Sequence, residues 1–108
     1  MSDFSSTQGL TAIADICVVP IGVGTSVSTH IAACLDVIEE AGLAFSLHSY
    51  GTTVEGEMSL VLGAIRLCHE RMHSMGAPRV HTNIRLGTRI DREQSMHDKI
   101  KAVEEKRA

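Results

Sequence analysis

The segment His-Glu-Arg-Met-His at residues 69–73 has the residue types of a zinc site at helical spacing. In the metalloprotease motif, two histidines one turn apart bind zinc and the intervening glutamate acts as general base. His69 and His73 would be the ligands here, and Glu70 the base. The longer motif requires a third histidine at position 79, which is Arg79 in this chain. We therefore favour a solvated or helix-capping histidine pair, with a zinc-dependent hydrolase as the alternative.

Two carboxylates and two histidines elsewhere in the chain have the types needed for a second metal site. They are Asp15, His48, Glu55 and His81. By type they suit a two-histidine, two-carboxylate site, but their spacing along the chain does not specify one. A hydrogen-bond network at an interface is the commoner arrangement for scattered groups of this kind. No Ser-His-Asp or Cys-His arrangement can be defended either, so we predict no metal, no cofactor and no catalytic residue.

The turn Gly-Val-Gly-Thr-Ser at 22–26 stands where a strand is expected to lead into a helix. Turns of this kind often bind phosphate, because the first amides of a helix point outward with partial positive charge. The lysine of a P-loop is absent. A turn with an N-cap is therefore favoured, although Thr25 and Ser26 could also donate to a ligand at the end of the sheet.

Hydrophobic patterns place these groups on strands and helices. Period-two alternation and β-branched residues predict strands at 10–19, 43–49, 52–57 and 79–87, the first of them stopping at Pro20. Apolar stripes predict one helix capped by Thr25, Ser26 or Ser28 and ending before Gly42, and two more at about 59–75 and 95–106. The last is thinly apolar and needs a partner surface. This order predicts an α+β ferredoxin-like β-α-β-β-α-β sandwich. Its four-stranded antiparallel sheet has the order 4-1-3-2, with two helices on one face and a C-terminal helix beyond.

The alternation also predicts which side chains share the open face of the sheet. The polar ones are Asp15, Ser46, His48, Thr53, Glu55, His81, Asn83 and Arg85. Apolar residues on the same face, such as Ile13 and Cys17, suggest that a second subunit covers it, with a site at the margin. An acid at Glu55 would then need a partner, which could be Arg85, His48 or a cationic ligand.

Composition narrows the functional class. The 108 residues, 44% hydrophobic and 21% charged, suit one globular domain, which we place at 10–108 after a flexible lead at 1–9. A net charge of −3 and two Phe with one Tyr argue against nucleic acid. No targeting segment or apolar span of ~20 residues is evident, so we expect a cytoplasmic protein without a membrane partner. The three separated cysteines are expected to be small core residues.

Four segments together resemble the thiamine-binding, or YkoF-like, family of small single-domain proteins, with fungal members the most similar. They are ADICVVPIGVGTSVS, LHSYGTTVEGE, RVHTNIRLGTRID and the closing DKI. The resemblance covers about Ala12 to Val103. It implies a ferredoxin-like fold and homo-oligomers, dimers or commonly tetramers, joined through their sheets. It also implies binding of thiamine or its hydroxymethylpyrimidine part, without a known reaction.

The resemblance places the ligand site at strand ends. Thiamine has a cationic thiazolium ring and an aminopyrimidine, so its site needs a carboxylate, hydroxyls or amides, and an apolar or aromatic wall. The residues implied are Glu55 first, then Asp15 as a second acid, Thr52, Ser49 and Asn83 for orientation, Tyr50 for cation–π contact, and Thr25 and Ser26. We therefore expect a non-catalytic carrier, buffer or sensor. A structural or regulatory oligomer without a ligand is the alternative.

Overall fold

The computed structural model describes residues 9–108, which form seven elements. The strands are β1 (Thr11–Ile21), β2 (Ala44–His48), β3 (Gly51–Glu57) and β4 (Arg79–Thr88). The helices are α1 (Ser28–Glu40), α2 (Met58–Ser74) and α3 (Met96–Arg107). The strands form one antiparallel sheet in the order β2-β3-β1-β4, which confirms the predicted ferredoxin-like α+β class and strand order. Apart from Gly9, the predicted lead at 1–9 lies outside the described residues.

The core lies between one face of the sheet and the helices α1 and α2. Alternate residues of β1 point into it, from Ala12 to Val18, and Val54 of β3 is fully buried beside them. The helices contribute apolar side chains such as Ile38 of α1 and Met72 of α2. The intervening residues of β1 are half-buried on the opposite face. The predicted division of β1 between core and open face is therefore confirmed.

β1 continues past its predicted end at Pro20. Proline lacks the backbone N–H that a strand contributes to its sheet, which is why the sequence favours a stop there. In the structure β1 pairs with β4 as far as Ile21, whereas its pairing with β3 ends at Ile16. Pro20 thus lies where one side of the strand has no neighbouring strand, and a missing donor is tolerated at such an edge.

The start of α1 also differs from the prediction. Its N-cap is Val27, which makes no side-chain cap hydrogen bond, so the assignment of the cap to Thr25, Ser26 or Ser28 was wrong. The end of the helix is as predicted, because Gly42 adopts a positive φ of 78° just beyond it. Helix α1 is therefore held by its packing rather than by a side-chain cap.

Helix α3 follows the sheet as a separate arm with an exposed apolar stripe. Ser95 caps it through a capping box with Asp98, and Met96 is buried at its first turn. Further along, Ile100 and Val103 are 56% and 60% exposed. The partner surface expected for this stripe is not supplied by residues 9–108. None of the helices in that range is long and apolar enough to cross a membrane.

Candidate ligand-binding site on the open face of the sheet

Asp15 is the centre of a hydrogen-bonded network on the open face of the sheet. Its Oδ1 accepts from Nε2 of His48 on β2 at 2.6 Å, and its Oδ2 accepts from Nη2 of Arg85 on β4 at 3.0 Å. These contacts hold the pKa of Asp15 below its usual value, the hydrogen bond with His48 most and that with Arg85 next. Asp15 is therefore ionised at neutral pH with both oxygens engaged, and the predicted pairing of opposite charges across the strands is present.

The contact between His48 and Asp15 crosses β3, and it depends on glycine at position 51. His48 is paired with Gly51 on β3, which lies between β2 and β1. A Cβ at this glycine would lie 2.5 Å from the carbonyl oxygen of Ile16 and 3.4 Å from Cε1 of His48. Any side chain here would displace the β1 backbone or crowd the imidazole. The sequence indicates this glycine only as a turn, so its role in the network was missed.

Glu55 is bound by the start of α3 instead of by Arg85 or His48. Its Oε2 accepts a hydrogen bond from the backbone N–H of Met96, the first residue of α3, at 2.8 Å. A carboxylate is favoured there because the first amides of a helix carry partial positive charge. Within residues 9–108, Oε1 of Glu55 has no hydrogen-bond partner. Glu55 therefore has one oxygen bound to α3 and one oxygen without a partner among residues 9–108.

A cleft of about 1030 Å³ opens beside Glu55, between the sheet and the segment that leads into α3. Apolar side chains in its lining include Ile13 and Ile90. Its charged residues of both signs are Glu55, Arg89, Arg92, Glu93, Asp98 and Lys99. The volume is at the upper end of the range for small-molecule sites, about 300 to 1,000 Å³. The cleft thus combines apolar surface, a carboxylate and both signs of charge.

One of these charged side chains, that of Arg89, is hydrogen-bonded within the segment that forms the wall of the cleft. Arg89 donates from Nη2 to Oδ2 of Asp91 at 2.9 Å and from Nη1 to Oε1 of Gln94 at 2.8 Å. The hydrogen bond from Arg89 is the main cause that lowers the pKa of Asp91. Arg89 therefore stabilises this segment. The other exposed charged residues that the segment contributes to the cleft are Arg92 and Glu93.

The predicted site residues do not converge on one pocket within a single chain. Of the eight, Glu55 alone lines the large cleft. Asp15 and Asn83 lie further along the open face, where Asn83 accepts from His81 at 3.3 Å. Those in loops are exposed, and they are Thr25 and Ser26 before α1 and Ser49 and Tyr50 between β2 and β3.

The hairpin residues and Glu55 lie at opposite ends of β3. Gly51 begins this strand and Glu55 lies four residues further on, a separation of about 13 Å at the usual rise of a strand. The side chain of Thr52 is buried on the core side of the sheet, on the opposite face from the cleft. The roles predicted for these residues in ligand binding stay predictions.

The histidines of the zinc-like segment contact protein groups. Nε2 of His69 is hydrogen-bonded to Oγ1 of Thr82 at 2.6 Å, and Nδ1 of His73 donates to the carbonyl oxygen of Ala77 at 2.8 Å. Glu70 forms an ion pair with Arg66 one turn earlier. Within residues 9–108, no three His, Cys, Asp or Glu side chains are grouped as a metal site would need. These contacts favour the structural interpretation of the segment.

The chain is similar to known proteins over almost all of its length. A family model described as Thiamine-binding protein matches residues 14–104. The chain belongs to the thiamine-binding protein family. A UPF0045 protein from Synechocystis is 46% identical over 104 residues, covering 96% of this chain and 86% of the relative. A fungal UPF0045 protein, from Eremothecium gossypii, is 42% identical over 98 residues, covering 90% of this chain and 93% of the relative.

Solved structures support the fold of this thiamine-binding family protein. A hypothetical protein from Methanocaldococcus jannaschii superposes with a TM-score of 0.82 at 26% identity, covering 88% of this chain and 97% of that one. A candidate thiamine biosynthesis/salvage protein from Thermotoga maritima gives 0.72 at 17% identity, covering 86% and 98%. At that identity the likeness shows the fold alone. The family resemblance predicted from the sequence is confirmed, and membership supports a small-molecule binding role.

Proposed function

We propose that this protein binds thiamine, or its hydroxymethylpyrimidine part, without transforming it, and that the ligand occupies the cleft beside Glu55. The family supports this ligand class, because its description names a ligand and no reaction. The observation that carries the location is the carboxylate of Glu55, which has one oxygen bound to the Met96 amide and lines the cleft. In this role the protein is a cytoplasmic carrier, buffer or sensor.

The chemistry of the cleft suits an aminopyrimidine joined to a cationic ring. The exocyclic amine of the pyrimidine would donate to Oε1 of Glu55, and a charge-assisted bond of this kind is stronger than a neutral one. The side chains of Ile13 and Ile90 offer an apolar wall for the ring. The thiazolium cation would be oriented toward Glu93 and away from Arg92, because like charges repel at short range.

We also propose that the protein is a homo-oligomer, a dimer or tetramer joined through its sheets. Support comes from the open face, where Ile13 and Cys17 are half-buried and Val19 is 37% exposed without a covering layer among the described residues. The exposed stripe of Ile100 and Val103 on α3 needs apolar surface as well. A second copy that covers the open face and the α3 stripe together would remove more apolar area from water than a copy that covers only one of these surfaces.

Calorimetric titration of the purified protein with thiamine and with hydroxymethylpyrimidine tests the ligand and the site separately. We expect saturable binding of at least one of them and a higher melting temperature in its presence. Glu55→Gln should weaken binding about 10- to 100-fold, because a hydrogen bond to a charged group contributes about 1.5 to 3 kcal/mol. Glu39→Gln, an exposed acid on α1, is the matched control and should bind as the unaltered protein does.

Two outcomes would each contradict one part of the proposal, either the class of ligand or the location of its site. Absence of both heat and thermal stabilisation with either ligand would refute the ligand class. It would favour the alternative of a structural or regulatory oligomer, for which the apolar stripe of α3 is the specific support. Unchanged binding by Glu55→Gln would retain the ligand class and refute the cleft as its site.

A further inference from the structure

The cleft beside Glu55 has no aromatic wall within its own chain. Its lining, among the residues that the structure describes, includes apolar side chains such as Ile13 but no Phe or Tyr. Phe45 packs against the hydrophobic core, which leaves Tyr50 as the described aromatic side chain outside it. The face of an aromatic ring attracts a cation such as thiazolium, so the cleft lacks a group that would favour this ligand.

Tyr50 lies at the opposite end of the sheet, and its side chain is almost fully exposed. It belongs to the hairpin between β2 and β3, and 88% of its surface is accessible to water. Gly51, the next residue, is about 13 Å from Glu55 along β3. A tyrosine side chain is too short to span this distance. Tyr50 therefore does not reach the cleft of its own chain, but its ring is free to contact another molecule, as tyrosines at interfaces commonly do.

A second copy related by a two-fold axis can overlay the two ends of the sheet. Both copies present the same surface in such an interface, so two residues that meet across it do so twice. Sheets that pack face to face lie about 10 Å apart with their strands nearly aligned. A two-fold axis that lies between the sheets and runs across the strands reverses the strand direction. The hairpin end of one sheet then lies over the cleft end of the other.

The register of the sheet shows where this axis would bring the hairpin to the cleft. Ile16 of β1 is paired with Thr52 of β3, so an axis level with one is level with the other. Glu55 is three residues from Thr52 in one direction, and the hairpin residue Ser49 is three residues from it in the other. An axis at this level therefore lays the hairpin of the partner subunit, with its Tyr50, over Glu55.

The side chains on the open face favour an axis at this level. It passes between Asp15 and Cys17 of β1, so it sets each Asp15 opposite Cys17 of the partner subunit. An axis at the level of Asp15 would instead set the two carboxylates opposite each other, and like charges repel at short range. The favoured axis also sets Ile13 opposite Val19 of the partner subunit. This contact covers apolar side chains that the single chain leaves partly exposed.

We propose that a second copy of the chain completes the ligand site, and that Tyr50 of the partner subunit closes the mouth of the cleft beside Glu55. This inference rests on the proposed function and extends its site from one chain to a pair. Glu55 binds the amine of the pyrimidine, and the partner's Tyr50 gives the thiazolium ring an aromatic face. Each two-fold pair then contains two sites, and both chains contribute to each of them.

Calorimetric titration of two Tyr50 variants with thiamine tests the contribution of the ring. Tyr50→Ala should weaken binding about 2- to 30-fold, which is the range expected for a cation–π contact. Tyr50→Phe keeps the ring and should bind as the unaltered protein does. The side chain is exposed, so both variants should fold normally. Equal affinities of Tyr50→Ala and the unaltered protein would overturn the inference.

Mixed oligomers of Glu55→Gln chains and Tyr50→Ala chains test whether the two residues come from different subunits. Co-expression with two affinity tags, and purification on each tag in turn, gives oligomers that contain both chains. A site shared between subunits combines an unaltered Glu55 with an unaltered Tyr50 in a fraction of the sites, so thiamine binding with the original affinity should return. A site within one chain always carries one of the two substitutions. Mixed oligomers without any sites of the original affinity would therefore overturn the inference.

The outcomes separate this inference from the proposed function on which it rests. Absence of thiamine binding by the unaltered protein would refute both. Binding that Glu55→Gln weakens and Tyr50→Ala leaves unchanged would refute the shared site and retain the ligand and the cleft. Sedimentation of the thiamine-saturated protein as a monomer would likewise refute the shared site alone.

Discussion

Replacement of Asp15 by asparagine tests the network on the open face most directly. Asparagine keeps the shape of the side chain and removes the charge that binds His48 and Arg85. The contact with Arg85 is worth about 0.2 to 1 kcal/mol, since that side chain is 87% exposed and its charge is screened by water. The shorter contact with His48 adds about 1 kcal/mol, less than a fully desolvated charge-assisted hydrogen bond would, because the imidazole is also substantially exposed.

The expected loss is therefore about 1 to 2 kcal/mol in the free energy of unfolding at neutral pH. In a domain of this size that lowers the melting temperature by about 5 to 15 °C. Urea denaturation at a fixed protein concentration, with Asp36→Asn as a control at an exposed position on α1, measures it. A loss within about 0.5 kcal/mol, which is usual for surface substitutions, would refute the reasoning.

The pH dependence of the free energy of unfolding provides a second test, because the direction of the change can be predicted. The folded-state pKa of Asp15 is lowered, so its contribution to stability is fully present above the unfolded-state pKa of about 3.9. That contribution is lost as the pH falls through the folded-state value. The difference between the unaltered protein and Asp15→Asn should therefore hold at neutral pH and shrink below about pH 4. A difference that persists undiminished at low pH would show that lost packing, and not lost charge, is the cause.

Four further substitutions, one of them a control, test other features. Gly51→Ala should cost about 1 to 3 kcal/mol of unfolding free energy, because its Cβ would meet the Ile16 carbonyl. Gly63→Ala, in open space on α2, should instead stabilise by up to about 1 kcal/mol, and equal urea midpoints for the two would contradict the clash. Ser95→Ala should remove the capping box and speed amide hydrogen exchange in α3, with unchanged exchange refuting its role. Val103→Ser should shift sedimentation toward smaller species if α3 contributes to the oligomer interface; unchanged sedimentation of an oligomer would exclude this.

Most of the fold could be predicted because its signals are local. Period-two alternation along β1 and β4 identifies which side chains face the helices, and the connection order then fixes the strand order. Opposed positions such as Asp15 and Arg85 follow from the register. The extension of β1 through Pro20 could not be predicted, since it depends on the pairing of β1 with β3 ending at Ile16, before Pro20 is reached.

Less of the candidate site could be predicted, because its contacts are tertiary. The approach of Met96 to Glu55 joins positions 41 residues apart, and no periodic pattern encodes where α3 begins relative to the sheet. The contact of His48 with Asp15 requires a residue without a side chain, Gly51, on the strand between them. The list of site residues drawn from the family resemblance covers both ends of the sheet, whereas the large cleft includes only Glu55.

The position of Glu55 has a consequence for how a bound ligand would be sensed. Its carboxylate is shared, with one oxygen bound to the first amide of α3 and the other directed to no protein group among the described residues. Any molecule that donates a hydrogen bond to the second oxygen changes the charge density on the first oxygen. It therefore changes the strength of the hydrogen bond that the first oxygen accepts from α3. By thermodynamic reciprocity, whatever orders α3 must change the affinity of that molecule by the same factor. If a ligand binds at Glu55 as proposed, occupancy of the cleft and the attachment of α3 to the sheet would therefore be coupled.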